Sequence, residues 1–285
     1  MFGETQIPLV EGRQFFEELG INGAVRYSDY ETDGNGVQNS FDTVTYAAGV
    51  TWAPTSDIRL RGQFQRAVRA PNVIELFTGQ NTGLFSAANG PNGLFDPCAS
   101  AAGVAPSATA AQCAFTGVTA AQFGNIPDNT AGQLNLVTGG NPNLTPEVSE
   151  SITIGVVLTP SAIPGFNLAV DFYDIGVDNV IGSVPAQQIL DSCIASGDAQ
   201  FCDLIQRDQF GSLFLDNSNF EGIQTTNTNI AALDVQGLDI SANYGLDVGS
   251  YGSVSFNYAG TVQFENSFES FPGSGTVECL SLIHI

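Results

Sequence analysis

The order of short and long joins between alternating segments constrains this chain more than any other feature. Seven segments of roughly ten residues alternate apolar and polar side chains with period two, which predicts β-strands. They read LGINGAVRYSDY, FDTVTYAAGVTW, IRLRGQFQ, ESITIGVVL, FNLAVDFYD, GLDISANYGL and SVSFNYAGTVQF. The joins after the second, fourth and sixth segments are short, and those after the first, third and fifth are long. In an antiparallel up-and-down sheet, all short turns then lie at one end and all long loops at the other.

This asymmetry is typical of membrane barrels, which have short turns on one side of the bilayer and longer extracellular loops on the other. Strands of about ten residues also suffice to cross a bilayer at a tilt. A Greek-key sandwich predicts no such asymmetry. The sequence therefore predicts an all-β fold, a segment of an antiparallel up-and-down transmembrane β-barrel. The long extracellular loops are expected at about residues 71–147 and 177–228. The first long join is expected to be about ten residues in length.

The composition limits the possible partners. The chain has 29 acidic and 7 basic residues, a net charge of -22, and all seven cations are arginines. Phosphate binding needs a basic surface, so nucleic acid is not an expected partner. The sequence contains no run of about 18 apolar residues, so no transmembrane helix is predicted. The opening MFGETQIPLVEGRQFF has neither the basic start nor the apolar stretch of a signal peptide.

Four of the seven arginines lie within DIRLRGQFQRAVRAPNVIELF, residues 57–77. Leu60 and Phe64 share one face of the predicted strand, whereas Arg59, Arg61 and Gln63 share the other. An arginine facing lipid near the bilayer centre would cost about 2–4 kcal/mol. We therefore expect the apolar face to meet lipid and the arginine face to line a water-filled lumen.

Two further acids, Asp171 and Asp239, fall on the polar faces of their own strands and are also expected in the lumen. The lumen arginines either contact an anionic ligand or a folded plug, or pair with carboxylates of neighbouring strands, and the pairing is favoured. Arg66 falls on the apolar side, so it lies beyond the bilayer or follows a β-bulge. Trp52 and Tyr27 lie near strand ends, where an aromatic girdle is expected.

Four of the five cysteines form two close pairs in the long loops. Cys98 lies near Cys113, and Cys193 lies near Cys202. Two local disulfides in an oxidising compartment are predicted, the alternative being free thiols in a reducing cell. A short helix that ends at SGD is predicted around Cys193, from its apolar spacing. Histidine occurs only at position 284, which disfavours a zinc site.

The sequence contains no arrangement that predicts catalysis. ETDGNG, residues 31–36, lacks the distal glutamate of a calcium loop and favours a glycine-rich hairpin. Asp171 and Asp174 could be glycosidase acids, but nothing in the sequence sets their separation. We expect no enzyme activity, no cofactor and no metal site.

Two motifs resemble the late barrel segments of TonB-dependent outer-membrane receptors. They are IRLRGQFQRAVRAPNVIELF and GGNPNLTPEVSESITIGVVLTP, and FGETQIPLVEG, INGAVRYSDY and FNLAVDFYDIGVDNVIG resemble the flanking text. The family-motif residues are Arg69, Ala70, Pro71, Asn72, Glu75, Leu76, Asn141, Pro142, Asn143, Leu144, Pro146 and Glu147. The cysteine pairs resemble the stapled extracellular loops of one branch of the family.

The resemblance implies an active importer in the Gram-negative outer membrane, with an N-terminal plug inside a wide barrel. Its partners would be outer-membrane lipid, a small ligand and the TonB energy-coupling complex, reached through the N-terminal region. Residues 1–276 are expected to be a partial barrel, the C-terminal portion of a longer receptor without its plug. Residues 277–285 are expected to be a non-native tail.

Two other functions stay open at this stage. One is a passive outer-membrane porin, with a loop folded into the lumen. The other is a secreted, acidic, β-rich binding or adhesion protein, whose apolar faces would pack sheet against sheet. The resemblance leaves the ligand open among siderophores, cobalamin, oligosaccharides and peptides.

Overall fold

The computed structural model describes residues 1–34, 36–216, 218–269, 271 and 276–280. Its elements in chain order are β1 (Phe2–Arg13), β2 (Phe16–Gly34), β3 (Val37–Thr55), β4 (Ile58–Arg69), α1 (Val73–Phe77), β5 (Asn81–Ser86), α2 (Ala110–Phe115), β6 (Gln133–Thr138), β7 (Glu147–Leu158), β8 (Phe166–Gly182), α3 (Ala186–Ser196), α4 (Ala199–Cys202), β9 (Ile205–Gln206), β10 (Gly222–Gln224), β11 (Thr228–Asp247), β12 (Ser253–Glu269) and β13 (Thr276–Glu278). A single 3-10 turn, Gly249–Tyr251, joins β11 to β12.

Nine strands form one antiparallel sheet in the order β1-β2-β3-β4-β7-β8-β11-β12-β13. Its neighbours follow one another along the chain, except where two long insertions leave and return at the same end. The first strand does not pair with the last among the described residues, so the sheet is an open portion of a barrel. This confirms the predicted up-and-down fold. Two of the three predicted long joins are long insertions, whereas the first, between β2 and β3, is short.

The two faces of this sheet differ in chemistry. The polar face carries Thr51, Arg61, Thr153, Asp171 and Asp239, which are cross-strand neighbours or lie at matching levels. The apolar face carries Val50, Leu60, Ile154, Val170 and Ile240 at the corresponding positions. No second sheet covers the apolar face within the described part of the chain, and Ile154 there is 58% exposed. The sheet-on-sheet packing expected of a secreted sandwich is therefore wrong.

The apolar face is bounded at both ends. At the short-turn end, the Phe16 and Trp52 rings lie 6.2 Å apart, and the Trp52 indole donates a 3.0 Å hydrogen bond to the Phe15 carbonyl. At the long-loop end, the cross-strand pair after Tyr27 on this face is Asp29 with Asp42. An outward apolar band flanked by aromatic side chains is the pattern of a lipid-facing barrel wall; here aromatic side chains bound one end of the band and charged side chains the other.

Arg66 lies on the apolar face without a register shift. β4 pairs continuously with β7 from Ile58 to Arg69, so the alternative of a β-bulge is wrong. The Arg66 guanidinium donates to the Val44 carbonyl at 2.7 Å and lies 3.9 Å from Glu150. Because Glu150 is itself exposed and charged, this level belongs to the charged margin rather than to the apolar band.

Two expectations about strand bounds need correction. The first long join, expected to have about ten residues, contains only positions 35 and 36, because β2 and β3 stay paired up to Gly34 and Val37. β1 was not predicted, since Pro8 and a register shift next to it interrupt its alternation. The expectation of a non-native tail stays a prediction: Val277 and Glu278 belong to β13 and pair with β12, whereas 281–285 lie outside the described residues.

The two long loops fold together into one unit, here named the cap (residues 70–146 and 183–227). β5 and β6 come from the first loop and β9 and β10 from the second, and they form a four-stranded sheet, order β5-β6-β10-β9. Leu134, Ile189, Leu190, Leu213 and Ile223 are almost fully buried in its core. The sequence predicted two separate stapled loops, whereas the cap has a hydrophobic core of its own.

The helix predicted around Cys193 is α3; it ends at Ser196 and is capped by Gly197 in the left-handed conformation. Within the described ranges, no helix has the length and hydropathy that a membrane span requires.

Candidate functional site

The two sequence motifs meet where the cap joins the sheet. The first motif ends β4 and forms α1, and the second leads into β7. Arg69 and Glu147 are directly paired across these strands. The Arg69 guanidinium donates to Glu147 at 2.5 and 2.6 Å, and to the Glu75 carboxylate at 3.1–3.2 Å. One arginine therefore holds the end of β4, the start of β7 and helix α1; we call this set the Arg69 junction.

Both carboxylates of the Arg69 junction have further partners. Glu147 accepts the Ile181 backbone N–H at 2.8 Å, which adds the end of β8. Glu75 accepts the Asn72 N–H at 2.8 Å, and the Asn72 side chain accepts the Glu75 N–H at 2.9 Å. This reciprocal pair is a capping box, and it explains why a helix as short as α1 begins at Val73.

The second motif packs against α1 through backbone contacts. Asn141 donates its N–H to the Glu75 carbonyl at 2.9 Å, and its side chain donates to the Asn227 carbonyl at 2.9 Å. Gly140 lies so close to α1 that a Cβ there would be 2.7 Å from the Leu76 carbonyl carbon and oxygen. Only glycine fits at this position without a backbone shift, which accounts for part of the GGNPN text.

β11 and the β2–β3 hairpin also reach this region. The Asn229 amide accepts the Thr145 N–H and donates to the Thr145 carbonyl, both at 2.8 Å. The Asn39 side chain of β3 donates to the Pro142 carbonyl. The strands from which the cap departs and to which it returns are thus joined by a single hydrogen-bonded region.

The polar face has a second charged cluster near the middle of the sheet. Arg61 of β4 forms a two-point ion pair with Asp171 of β8, at 2.7 and 2.8 Å. These side chains cross β7 at Gly155, where a Cβ would lie 1.9 Å from an Asp171 oxygen. Gly155 therefore permits a salt bridge between strands that are not neighbours. Gln63 lies in the same depression of about 560 Å³.

The other polar-face residues have partners as well. Arg59 lies 2.8 Å from Glu18 of β2, and Asp239 accepts a 2.6 Å hydrogen bond from Thr261 of β12. The sequence left two roles open for these arginines: contact with an anionic ligand or plug, or pairing with carboxylates. The contacts seen in the structure are pairs with carboxylates of other strands.

The cap interior contains both disulfides and a buried ion pair. Cys98 is bonded to Cys113, and Cys193 to Cys202. Arg207 donates to Asp96 at 2.6 and 3.0 Å, with each side chain only 3% exposed. Arg207 also donates to the Thr116 hydroxyl at 3.0 Å and the Gly211 carbonyl at 2.8 Å. This pair fastens the second loop onto the first.

A groove of about 310 Å³ lies on the cap surface between α3 and the first loop. We call it the cap groove; its polar lining consists of Asn89, Ser107, Gln112, Gln187 and Asp191, around the ring of Phe95. The Gln187 amide is held in place, since it accepts the Ala88 N–H at 2.8 Å and donates to Asp191 at 2.9 Å. The groove can offer hydrogen bonds and an aromatic surface.

No group of three metal-ligating side chains occurs among the residues for which placements are described. Asp171 and Asp174 alternate between opposite faces, since Asp171 pairs with Gly155 and Asp174 with Ile152. The glycosidase arrangement is therefore absent at that pair.

The sequence did not predict the Arg207–Asp96 pair or the function of Gly155. The only sequence signal for the first was that Arg207 is the single cation among the long-loop residues. The signal for Gly155 was a glycine inside a strand, which often marks close approach of other groups.

Comparison with known proteins gives one family. The profile of the TonB dependent receptor-like, beta-barrel family matches residues 1–276. No curated protein matches the chain at a significant level.

The chain is similar to several solved structures. A double mutant of the ferric enterobactin receptor PfeA from Pseudomonas aeruginosa aligns with a TM-score of 0.51 and 13% identity over 93% of this chain and 26% of its own. The siderophore receptor PirA from Acinetobacter baumannii aligns with a TM-score of 0.46 and 12% identity over 93% of this chain and 36% of its own. The FrpB iron transporter from Neisseria meningitidis aligns with a TM-score of 0.41 and 9% identity over 92% of this chain and 26% of its own. The chain thus spans about a quarter of the PfeA chain.

Proposed function

This chain belongs to the TonB-dependent receptor-like β-barrel family, and on that premise we propose that it is part of an active importer energised through TonB. The family consists of outer-membrane receptors and transporters rather than enzymes. The protein is accordingly a component of the Gram-negative outer membrane. Its cargo is proposed to be a small ligand that the outer membrane does not pass freely.

The observation that carries the proposal is the cap. Both insertions leave the sheet at one end, are joined there by the Arg69 junction, and share a hydrophobic core. A domain built at one mouth of a barrel is suited to meet a ligand before the barrel does. In a passive porin we would expect the long loop to constrict the lumen instead of building a separate core.

Each face of the sheet is then assigned a role. We propose that the apolar face meets lipid and that the polar face, with Arg59, Arg61, Gln63, Asp171 and Asp239, lines the lumen. The Arg61–Asp171 and Arg59–Glu18 pairs neutralise those charges within the wall. In the whole receptor a plug domain would fill this lumen and connect the ligand site to TonB.

The test is uptake by the full-length receptor in its own Gram-negative host. We would compare the parent, a receptor deletion, a strain without TonB and the double deletion. Growth is followed on limiting ferric siderophores, cobalamin, oligosaccharides or peptides, each as the sole source of the nutrient. We expect the receptor deletion to lose growth on at least one nutrient. Loss of TonB should give the same defect, and the double deletion should be no worse.

Import that needs the receptor but proceeds at the parental rate without TonB would contradict the proposal, because it would indicate passive diffusion through an open pore. A receptor deletion that imports every nutrient normally would also contradict it.

A further inference from the structure

Almost all charged side chains of the cap are negative. Its residues carry a single cation, Arg207, against nine carboxylates: Glu75, Asp96, Asp128, Asp191, Asp198, Asp203, Asp208, Asp216 and Glu221. Arg207 is buried, and its guanidinium is occupied by Asp96, Thr116 and the Gly211 carbonyl. Across the cap, which is described except at position 217, no positive side chain is presented at the surface.

The arginines nearest to the cap do not supply one either. The guanidinium of Arg69 is shared between Glu147 and Glu75. Arg66 lies on the apolar face and donates to the Val44 carbonyl. The other four arginines belong to β1, β2 and β4, below the level at which the cap departs.

Several of the carboxylates remain on the surface. Asp191, Asp198 and Asp203 are exposed, and Asp191 lines the cap groove. Hydrogen bonds from Asn219 hold the pKa of Glu221 below its ordinary value, so this side chain also stays ionised. A surface that carries carboxylates and no cations produces a negative potential, which concentrates cations and repels anions.

The side chains that line the cap groove also disfavour anions at short range. Its polar groups are amides, a hydroxyl and a carboxylate, arranged around Phe95. These groups can bond to hydroxyls, amides and ammonium groups. A multiply charged anion would lose water there without gaining a cationic partner, which is unfavourable.

We propose that the cap selects against anions, so that the ligand it admits is neutral or positively charged, a small molecule rich in hydroxyl or amide groups. This inference rests on the proposed function, in which the cap is the first part of the receptor that a ligand meets.

The test measures how charge controls access to the cap groove. A nitroxide is attached at Ser107→Cys in the full-length receptor, with Cys279 and any free cysteine outside this sequence changed to serine. Its collision rates with the trianion chromium(III) tris-oxalate and with neutral nickel(II) ethylenediaminediacetate are measured by power-saturation EPR. In low salt, where charges act over about 30 Å, we expect the anion-to-neutral ratio to be roughly three- to tenfold below that of free nitroxide. It should rise towards the free value when salt is added.

A single added charge provides the matched comparison. Asn89→Lys places a cation on the groove wall and should raise the ratio roughly fivefold, whereas Asn89→Gln should leave it unchanged. A low-salt ratio equal to or above that of free nitroxide would overturn the proposal. So would a ratio that Asn89→Lys does not change.

These collision rates need neither a ligand nor TonB. A failure of the transport experiment would therefore leave this result intact, and a failure here would leave transport to be judged on its own.

Discussion

Asp96→Asn is expected to make the cap cleavable by trypsin at Arg207. Trypsin cuts after lysine and arginine, and Arg207 is the only such residue among positions 70–146 and 183–227. In the native cap Arg207 is buried against Asp96, so the site is closed to the protease. Breaking a buried ion pair by removing one partner costs about 3–5 kcal/mol, because the other charge stays buried without compensation.

That cost corresponds to an increase of roughly a hundredfold to several thousandfold in the opened population. When opening is fast relative to cleavage, the cleavage rate follows this population. The measurement is the rate of appearance of the two fragments on a denaturing gel after trypsin is added to intact cells. Both disulfides lie on the N-terminal side of the cut, so the fragments separate without reduction.

Asp203→Asn is the matched control, since Asp203 is an exposed carboxylate of the same cap that forms no ion pair with Arg207. It should be cleaved as slowly as the parent. Equal resistance of Asp96→Asn and the parent would show that the buried pair does not hold the cap together.

Arg69→Gln is expected to loosen the cap at its base while leaving the nine-stranded sheet intact. The substitution leaves Glu147, whose side chain is only 11% exposed, without a cation. It also removes the ion pair of Glu75 of α1, which keeps its hydrogen bond from the Asn72 N–H. Because Arg69 itself is about half exposed, we expect a cost of about 2–4 kcal/mol, towards the low end for a buried pair.

Hydrogen exchange followed by mass spectrometry measures this effect segment by segment. Protection of residues 73–77 and 141–147 should fall by roughly one to three orders of magnitude. Protection of β8 and of the part of β7 that follows Glu147 should not change. Arg66→Gln is the matched control, because Arg66 lies on the opposite face and does not contact the Arg69 junction. Unchanged protection in Arg69→Gln would contradict the structural function assigned to the motif arginine.

The sequence predicted the spanning strands because their chemistry is local. Alternation in segments such as ESITIGVVL follows from one face meeting lipid and the other meeting water, so period and strand coincide. The same reasoning failed where the alternation is interrupted. β1 contains Pro8 next to a register shift, and residues 31–34 of the predicted loop are paired strand on polar side chains.

The cap was not predictable in the same way. Its sheet pairs Leu136 of the first loop with Ile223 of the second, 87 residues later. Nothing in either segment specifies such a partner, and short strands carry weak periodic signals. The Arg207–Asp96 pair joins residues 111 apart. By contrast, the disulfides span 15 and 9 residues, and they could be predicted because spacing alone constrains a local pair.

The Arg69 junction is an intermediate case. The sequence showed which residues form the two motifs, Asn72 and Glu75 among them, but the capping box that these two form was not predicted. It did not show that Glu147 faces Arg69, since that pairing depends on β4 lying next to β7 across the whole first loop.

The claim on which the rest depends is that the sheet spans the outer membrane with the cap outside the cell. It is tested most directly by labelling with a membrane-impermeant maleimide, at Ser107→Cys in the cap and at Ser250→Cys in the short β11–β12 turn, each in a Cys279→Ser background. Both positions are exposed in the structure. We predict that position 107 is labelled on intact cells and position 250 only after the outer membrane is permeabilised. Equal labelling of both positions on intact cells, or labelling of position 250 alone, would contradict the account.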